Sequence, residues 1–273
     1  MTTTATHGQT ASRGRMMLNK VPEVTLYFWV IKIMCTTVGE TAADYLNDNL
    51  GFGLTKTTYV TGALLVALLV AQFSLRRYVP PVYWAVVVVI SVFGTLITDN
   101  MTDHYNVPLT TSTIVFSIVL AAVFAAWYAS ERTLSIHTIV TTRREAFYWL
   151  AILFTFALGT AAGDLSAEKL DLGYAVSIGI FGGMIALVAF AHYAFRLDAV
   201  LAFWLAYILT RPLGASIGDE MSQNSHKYGG LGLGTTGTSY IFLGCILALV
   251  TFLSITRRDA TEQHRNEPLL EGA

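Results

Sequence analysis

The chain has 273 residues, of which 54% are hydrophobic and only 13% charged, whereas ordinary soluble domains carry roughly 25% charged residues. That composition excludes a water-soluble globular domain. A formal net charge of -1 excludes the basic field of a nucleic-acid binder.

Residues 1–22 are polar, lack the apolar core of a signal peptide and read as a disordered tail. Eight apolar runs follow, at about 24–46, 58–75, 82–101, 109–130, 146–166, 173–195, 199–220 and 236–256. Each is long enough to cross hydrocarbon roughly 30 Å thick. Continuous apolarity, rather than alternation, predicts helices. Residues 259–273 again have a disordered composition. The expected fold is an all-α integral membrane protein with one transmembrane domain over 23–258.

With eight spans, both termini lie on one side. That side carries Arg13, Arg15, Lys20, Arg76, Arg77, Arg132, Arg143, Arg144, Arg196, Arg257, Arg258 and Arg265, against Lys56, Lys169 and Lys227 opposite. The bias predicts cytoplasmic termini. Lys32 and Arg211 remain, inside spans.

Four tryptophans, Trp29, Trp84, Trp149 and Trp204, mark an internal repeat. Ten residues after each stands Gly39, Gly94, Gly159 or Gly214, and fifteen after each stands Asp44, Asp99, Asp164 or Asp219. The chain therefore reads as four tandem helix hairpins, about 23–77, 78–132, 143–197 and 198–258. An even number of spans per unit makes them parallel repeats around an axis normal to the membrane. The stretches KVPEVTLYFWVIKIMCTTVGETAADYL (20–46), VFGTLITDN (92–100) and TRPLGASIGDEMS (210–222) resemble a bacterial family built from a four-times repeated unit of two transmembrane helices with a characteristic tryptophan. The resemblance covers residues 20–258. It implies this repeat architecture and the bacterial inner membrane, and no established substrate, because the family is known only as membrane-anchored proteins of unknown function.

Steps of four, which stay on one helix face, give Lys32, Thr36, Glu40 and Asp44 in the first repeat and Val87, Ser91, Thr95 and Asp99 in the second. The third gives Ile152, Phe156, Thr160 and Asp164, and the fourth Tyr207, Arg211, Ala215 and Asp219, with Glu220 beside it. A polar stripe on a membrane helix faces protein or water. Acids outnumber bases on it, so the uncompensated carboxylates need protons, a bound cation or water. If the repeats close into a ring in sequence order, Glu40 and Arg211 fall on adjoining helices and predict an intramembrane ion pair, as glue or as gate. Lys32 would pair with a carboxylate or with Tyr207. The aspartates have a second reading as helix caps at the interface. The glycines, each followed four residues later by Ala43, Thr98, Gly163 or Gly218, predict close helix packing. The tryptophans read as packing between repeats, with a hydrophobic cytoplasmic gate as the alternative.

Other chemistry finds no footing. Cys35 and Cys245 are solitary and read as small apolar residues. His104, beside Asp99 and Asp103, reads as a solvated loop residue, with membership of a hard-metal or proton-loading site as the alternative. The glycine run at 229–237 lacks a P-loop lysine, and no Gly-x-Ser-x-Gly or His-Glu-x-x-His occurs. No lysine in the last two spans excludes a retinal Schiff base. An aspartate protease needs two differentiated acids rather than four equivalent ones. The expectation is therefore a transporter or exporter of a small cation, proton-coupled through the carboxylates, with no enzymatic activity and no cofactor. A channel-like pore and a non-transporting scaffold or sensor are the alternatives. The bilayer and a cation or proton are its partners, a homo-oligomer is compatible, and H+, Na+, Mg2+, Mn2+, Ca2+ or an organic cation near Tyr27, Phe28 and Tyr207 all suit oxygen and aromatic ligands.

Overall fold

A computed structural model describes residues 19–49, 53–169, 172–223 and 230–259. Residues 1–18 and 260–273 of the tails expected at 1–22 and 259–273, together with Lys227 and Gly229, lie outside the described residues. Eight long helices carry the fold: α1 (Leu26–Asp44), α2 (Gly53–Ser74), α3 (Pro80–Asp99), α4 (Leu109–Glu131), α5 (Thr142–Asp164), α6 (Tyr174–Phe195), α7 (Ala199–Ser222) and α8 (Gly234–Thr256). Seven of them are long and apolar enough to cross a membrane; α1, interrupted by Lys32 and Glu40, falls just short of that mark. Start signals are local. Thr25, Thr141 and Asp198 cap α1, α5 and α7 with side-chain oxygens, and Pro80 and Pro81 open α3.

The odd-numbered helices form a closed inner ring, α1 against α3, α3 against α5, α5 against α7 and α7 against α1. The even-numbered helices stand outside and cover the ring with apolar side chains turned outward, among them Val66, Val70, Ile118, Leu187, Phe190 and Leu247. The interior is the polar part: Lys32, Glu40, Ser91, Thr95, Thr160, Arg211 and Asp219 are all buried. Oil outside and charge inside is the reverse of a soluble protein and fits a lipid solvent.

The helix-hairpin expectation needs correction. The outer helix of each repeat packs on the inner helix of the following one, α2 on α3, α4 on α5, α6 on α7, and α8 closes the circle on α1. Within its own repeat, α2 meets chiefly the single π-helical turn Tyr45–Asn49 that extends α1. The links after α2 and α6 span only residues 75–79 and 196–198. Links this short make an outer helix and the next inner helix antiparallel neighbours, so each outer helix seals a seam between repeats.

Both described chain ends meet at the end of the bundle opposite the aspartates, here called the base. The 1–22 tail and the 259–273 tail each overlap this ordered region. Residues 19–22 are buried, Lys20 Nζ lies 2.7 Å from Glu145 with both side chains 1% exposed, and Gln72 donates to the same carboxylate. The Glu23 amide donates to the Asp259 carbonyl, and Tyr78 Oη donates to Asp259 Oδ2 at 2.6 Å. Burial pushes the Asp259 carboxyl above the usual carboxylate range, and the Tyr78 hydrogen bond pulls it partly back.

Candidate functional site

Residues four apart on a helix climb about 6 Å per step, so the repeat register stacks side chains in layers along the ring axis. At the base, the residue before each tryptophan is aromatic: Phe28, Tyr83, Tyr148 and Phe203. Each packs on the tryptophan of the next repeat, Phe28 on Trp84 at 5.7 Å between ring centroids, Tyr83 on Trp149 at 5.4 Å, Tyr148 on Trp204 at 6.3 Å and Phe203 on Trp29 at 5.7 Å. The hydroxyls of Tyr83 and Tyr148 are hydrogen-bonded to each other. The result is an aromatic collar that closes the axis. The tryptophans pack between repeats; the aromatic preceding each is a fourfold signal that the tryptophan–glycine–aspartate register does not include.

Above the collar lies Lys32, 1% exposed. Its Nζ sits 4.0 Å over the Tyr207 ring and 4.5 Å over Phe156, and donates to Thr210 Oγ1 at 3.3 Å. Of its two expected partners the tyrosine is realised, and among the described residues no carboxylate reaches it. The reason is depth: the nearest acid on the stripe, Glu40, is two turns further up and is held by Arg211.

Arg211, fully buried, occupies the axis one layer higher. Its Nη2 donates to Glu40 Oε2 at 2.9 Å and to Thr160 Oγ1 at 2.7 Å, and also to Thr95 Oγ1, while Nη1 donates to the Thr36 carbonyl at 3.0 Å. One guanidinium therefore ties α7 to the other three inner helices. The expected Glu40–Arg211 pair is present, and its geometry follows from ring closure in sequence order. Close approach is possible because a glycine faces each residue of this layer. A Cβ on Gly39, Gly94, Gly159 or Gly214 would run into Ser91, Phe156, Arg211 or Thr36 of the next repeat.

Beyond Arg211 the ring opens at the other end, the mouth, into a cavity of about 300 Å³. Its lining includes Asp44, Asp99, Asp164, Asp219 and Glu40, joined by Asp103 and Gln223. Carboxylate oxygens of Glu40, Asp164 and Asp219 lie within 4.8 Å of one another, a spacing at which one hard cation can bridge them. The first three aspartates are each followed by one π-helical turn, Tyr45–Asn49, Asn100–His104 and Leu165–Lys169, a widening often found at functional sites. In the fourth repeat α7 runs on to Ser222, and the Gln223 amide returns to the Asp219 carbonyl. A larger cavity, about 490 Å³, lies at the base and is lined by Trp29, Ile185, Tyr193 and Phe203. It holds none of the stripe carboxylates, so the smaller one is the candidate site.

Several sequence-based assignments shift. Glu220 does not line the cavity. Its carbonyl accepts from the Leu231 amide, and one residue after Asp219 it falls about 100° round the helix. Ser91 faces Gly39 in the closed core, and Thr36 offers its carbonyl rather than its hydroxyl, which bonds back to Ile33. Neither, nor Lys32, reaches the cavity. Asp103, which does line it, lies one further step of four past Asp99, beyond the aspartates that end the stripe in the other repeats. His104 is exposed on the ring of Tyr105 and does not join the acids. Of the cysteines, Cys35 is buried and Cys245 exposed, both as free thiols.

The model of the family described as Repeat of Unknown Function (DUF347) matches the chain four times, over residues 27–78, 82–133, 147–198 and 202–259. The chain belongs to this repeat family. The four matches follow the tryptophan register within a few residues. No curated protein and no solved structure matches it.

Proposed function

We propose that this DUF347-repeat protein is a multi-pass membrane transporter or exporter of a small cation, coupled to protons through its carboxylates. The observation that carries the reading is the convergence of Asp44, Asp99, Asp164, Asp219 and Glu40 on one cavity, directly above an arginine that blocks the axis. Carboxylates facing one another across a small cavity repel unless a proton or a cation sits between them. Binding at the mouth and release of Glu40 from Arg211 are then two sides of one exchange. The aromatic collar is the second gate, at the base. Apolar outer helices support insertion in the bilayer, and the basic bias of the loops supports an outward mouth and cytoplasmic termini in the inner membrane. An open channel is the weaker reading, because Arg211 and the collar both close the axis. The reading assigns no enzymatic step and no cofactor.

The test is flux through proteoliposomes carrying a pH-sensitive dye, with Na+, K+, Mg2+, Mn2+ and Ca2+ offered in turn. At least one cation should drive opposing proton movement in the wild type and none in Glu40→Gln. Folded wild-type protein that moves neither protons nor any of these cations would remove the transport reading and leave a scaffold.

A further inference from the structure

The guanidinium of Arg211 stands where side-chain oxygens of three repeats converge. Eleven residues past each tryptophan the four repeats present Glu40, Thr95, Thr160 and Ala215. The first three aim oxygens at one point, and the alanine leaves the space into which the arginine of its own helix folds. Thr95 and Thr160 use their own hydroxyl protons on the Ser91 and Phe156 carbonyls, each at 3.2 Å. What they turn toward the axis is therefore lone pairs. With the Thr36 carbonyl, α1, α3 and α5 build a cage of four oxygens bearing one negative charge.

Counting donors separates this cage from one shaped only for arginine. Three acceptors converge on Nη2, which has two hydrogens. The buried Nε has no partner among the described residues. A spherical cation needs no fixed donor directions and uses such oxygens fully, and one carboxylate with three neutral oxygens balances a single positive charge. We propose that the cage is a binding site for a small monovalent cation and that Arg211 is its tethered occupant, ion and guanidinium excluding each other. The proposal rests on the transport reading and deepens it: a cation descending from the mouth acids takes the place of Arg211 beside Glu40.

The experiment is the thermal stability of purified Arg211→Ala in detergent, titrated with sodium, potassium and guanidinium chlorides in the low-millimolar range. N-methylglucamine chloride serves as the bulky control, and Arg211→Gln is run in parallel because it fills more of the vacated volume. At least one small cation should give a saturable rise of about 5 °C at concentrations well above its dissociation constant. The rise should be smaller in the wild type, where the cation must displace Arg211, and lost in Glu40→Gln/Arg211→Ala. An equal rise with N-methylglucamine, an equal rise in the wild type, or variants that stay unfolded or unresponsive in every salt would overturn the site. Flux is scored separately. Saturable binding by Arg211→Ala without wild-type flux keeps the site and removes transport, and flux without binding does the reverse.

Discussion

Glu40→Gln and Arg211→Ala remove opposite ends of one buried ion pair, and the contacts around it make their costs unequal. In Glu40→Gln the amide oxygen can still accept from Arg211 Nη2, and its new N–H group can turn into the mouth cavity that Glu40 lines. Arg211 keeps its hydrogen bonds but loses its counter-ion, for which the neighbouring Asp164 and Asp219 carboxylates substitute only in part, so the loss is about 2 kcal/mol. In Arg211→Ala the Glu40 carboxylate loses its cation, and the Thr95, Thr160 and Thr36 oxygens lose their donor together. Breaking a buried pair from one side costs about 3–5 kcal/mol. Melting temperatures in detergent should therefore fall by a few degrees in the first variant and by about 10 °C in the second. The double variant should fall by less than the two singles together, since removing the arginine leaves less for Glu40→Gln to lose. Proton-driven flux should vanish in Glu40→Gln although the protein stays folded. Equal losses for the two single variants would refute the reasoning, as would a Glu40→Gln protein with undiminished proton dependence.

Asp164→Asn and Asp219→Asn should weaken cation flux more than Asp44→Asn, because the first two share the cluster with Glu40; equal small effects across all four aspartates would favour the capping reading. Lys20→Met should cost about 3–5 kcal/mol by stranding buried Glu145, and pairing it with Glu145→Leu should recover most of that in melting experiments. An alanine at Gly94 would collide with Phe156 and should destabilise by about 1–3 kcal/mol, so a neutral outcome would contradict the helix spacing. Asp259 has a raised folded-state pKa, so the fold binds its proton more tightly than the unfolded chain does. Its stabilising contribution is complete below the unfolded carboxylate value and is lost as pH rises through the raised value; melting curves from about pH 4 to about pH 8 should show this decline in the wild type and less of it in Asp259→Asn.

Sequence alone determined what depends on composition and on position along a single helix. A hydrophobic share of 54% with 13% charge selects a lipid solvent. The tryptophan–glycine–aspartate register fixes four units, and steps of four fix which face of α1, α3, α5 and α7 carries Glu40, Arg211 and the aspartates. Ring closure in sequence order then brings Glu40 to Arg211, so that pair is legible in the sequence. What tertiary structure alone decided is which surface covers which. Apolar burial is non-directional, so nothing in the pattern of α2 says that it packs on α3 instead of α1; short links and the π-helical turns decide it. The same limit hid the fate of Lys32, which finds the Tyr207 and Phe156 rings, and of Glu220, which a 100° step carries away from the cavity. It also hid the gathering of Glu40, Asp164 and Asp219 around one point. Periodicity gives each side chain an angle and a depth on its own helix, whereas a site is made by distances between helices, and those are set by the glycines, the links and the one arginine that spans the ring.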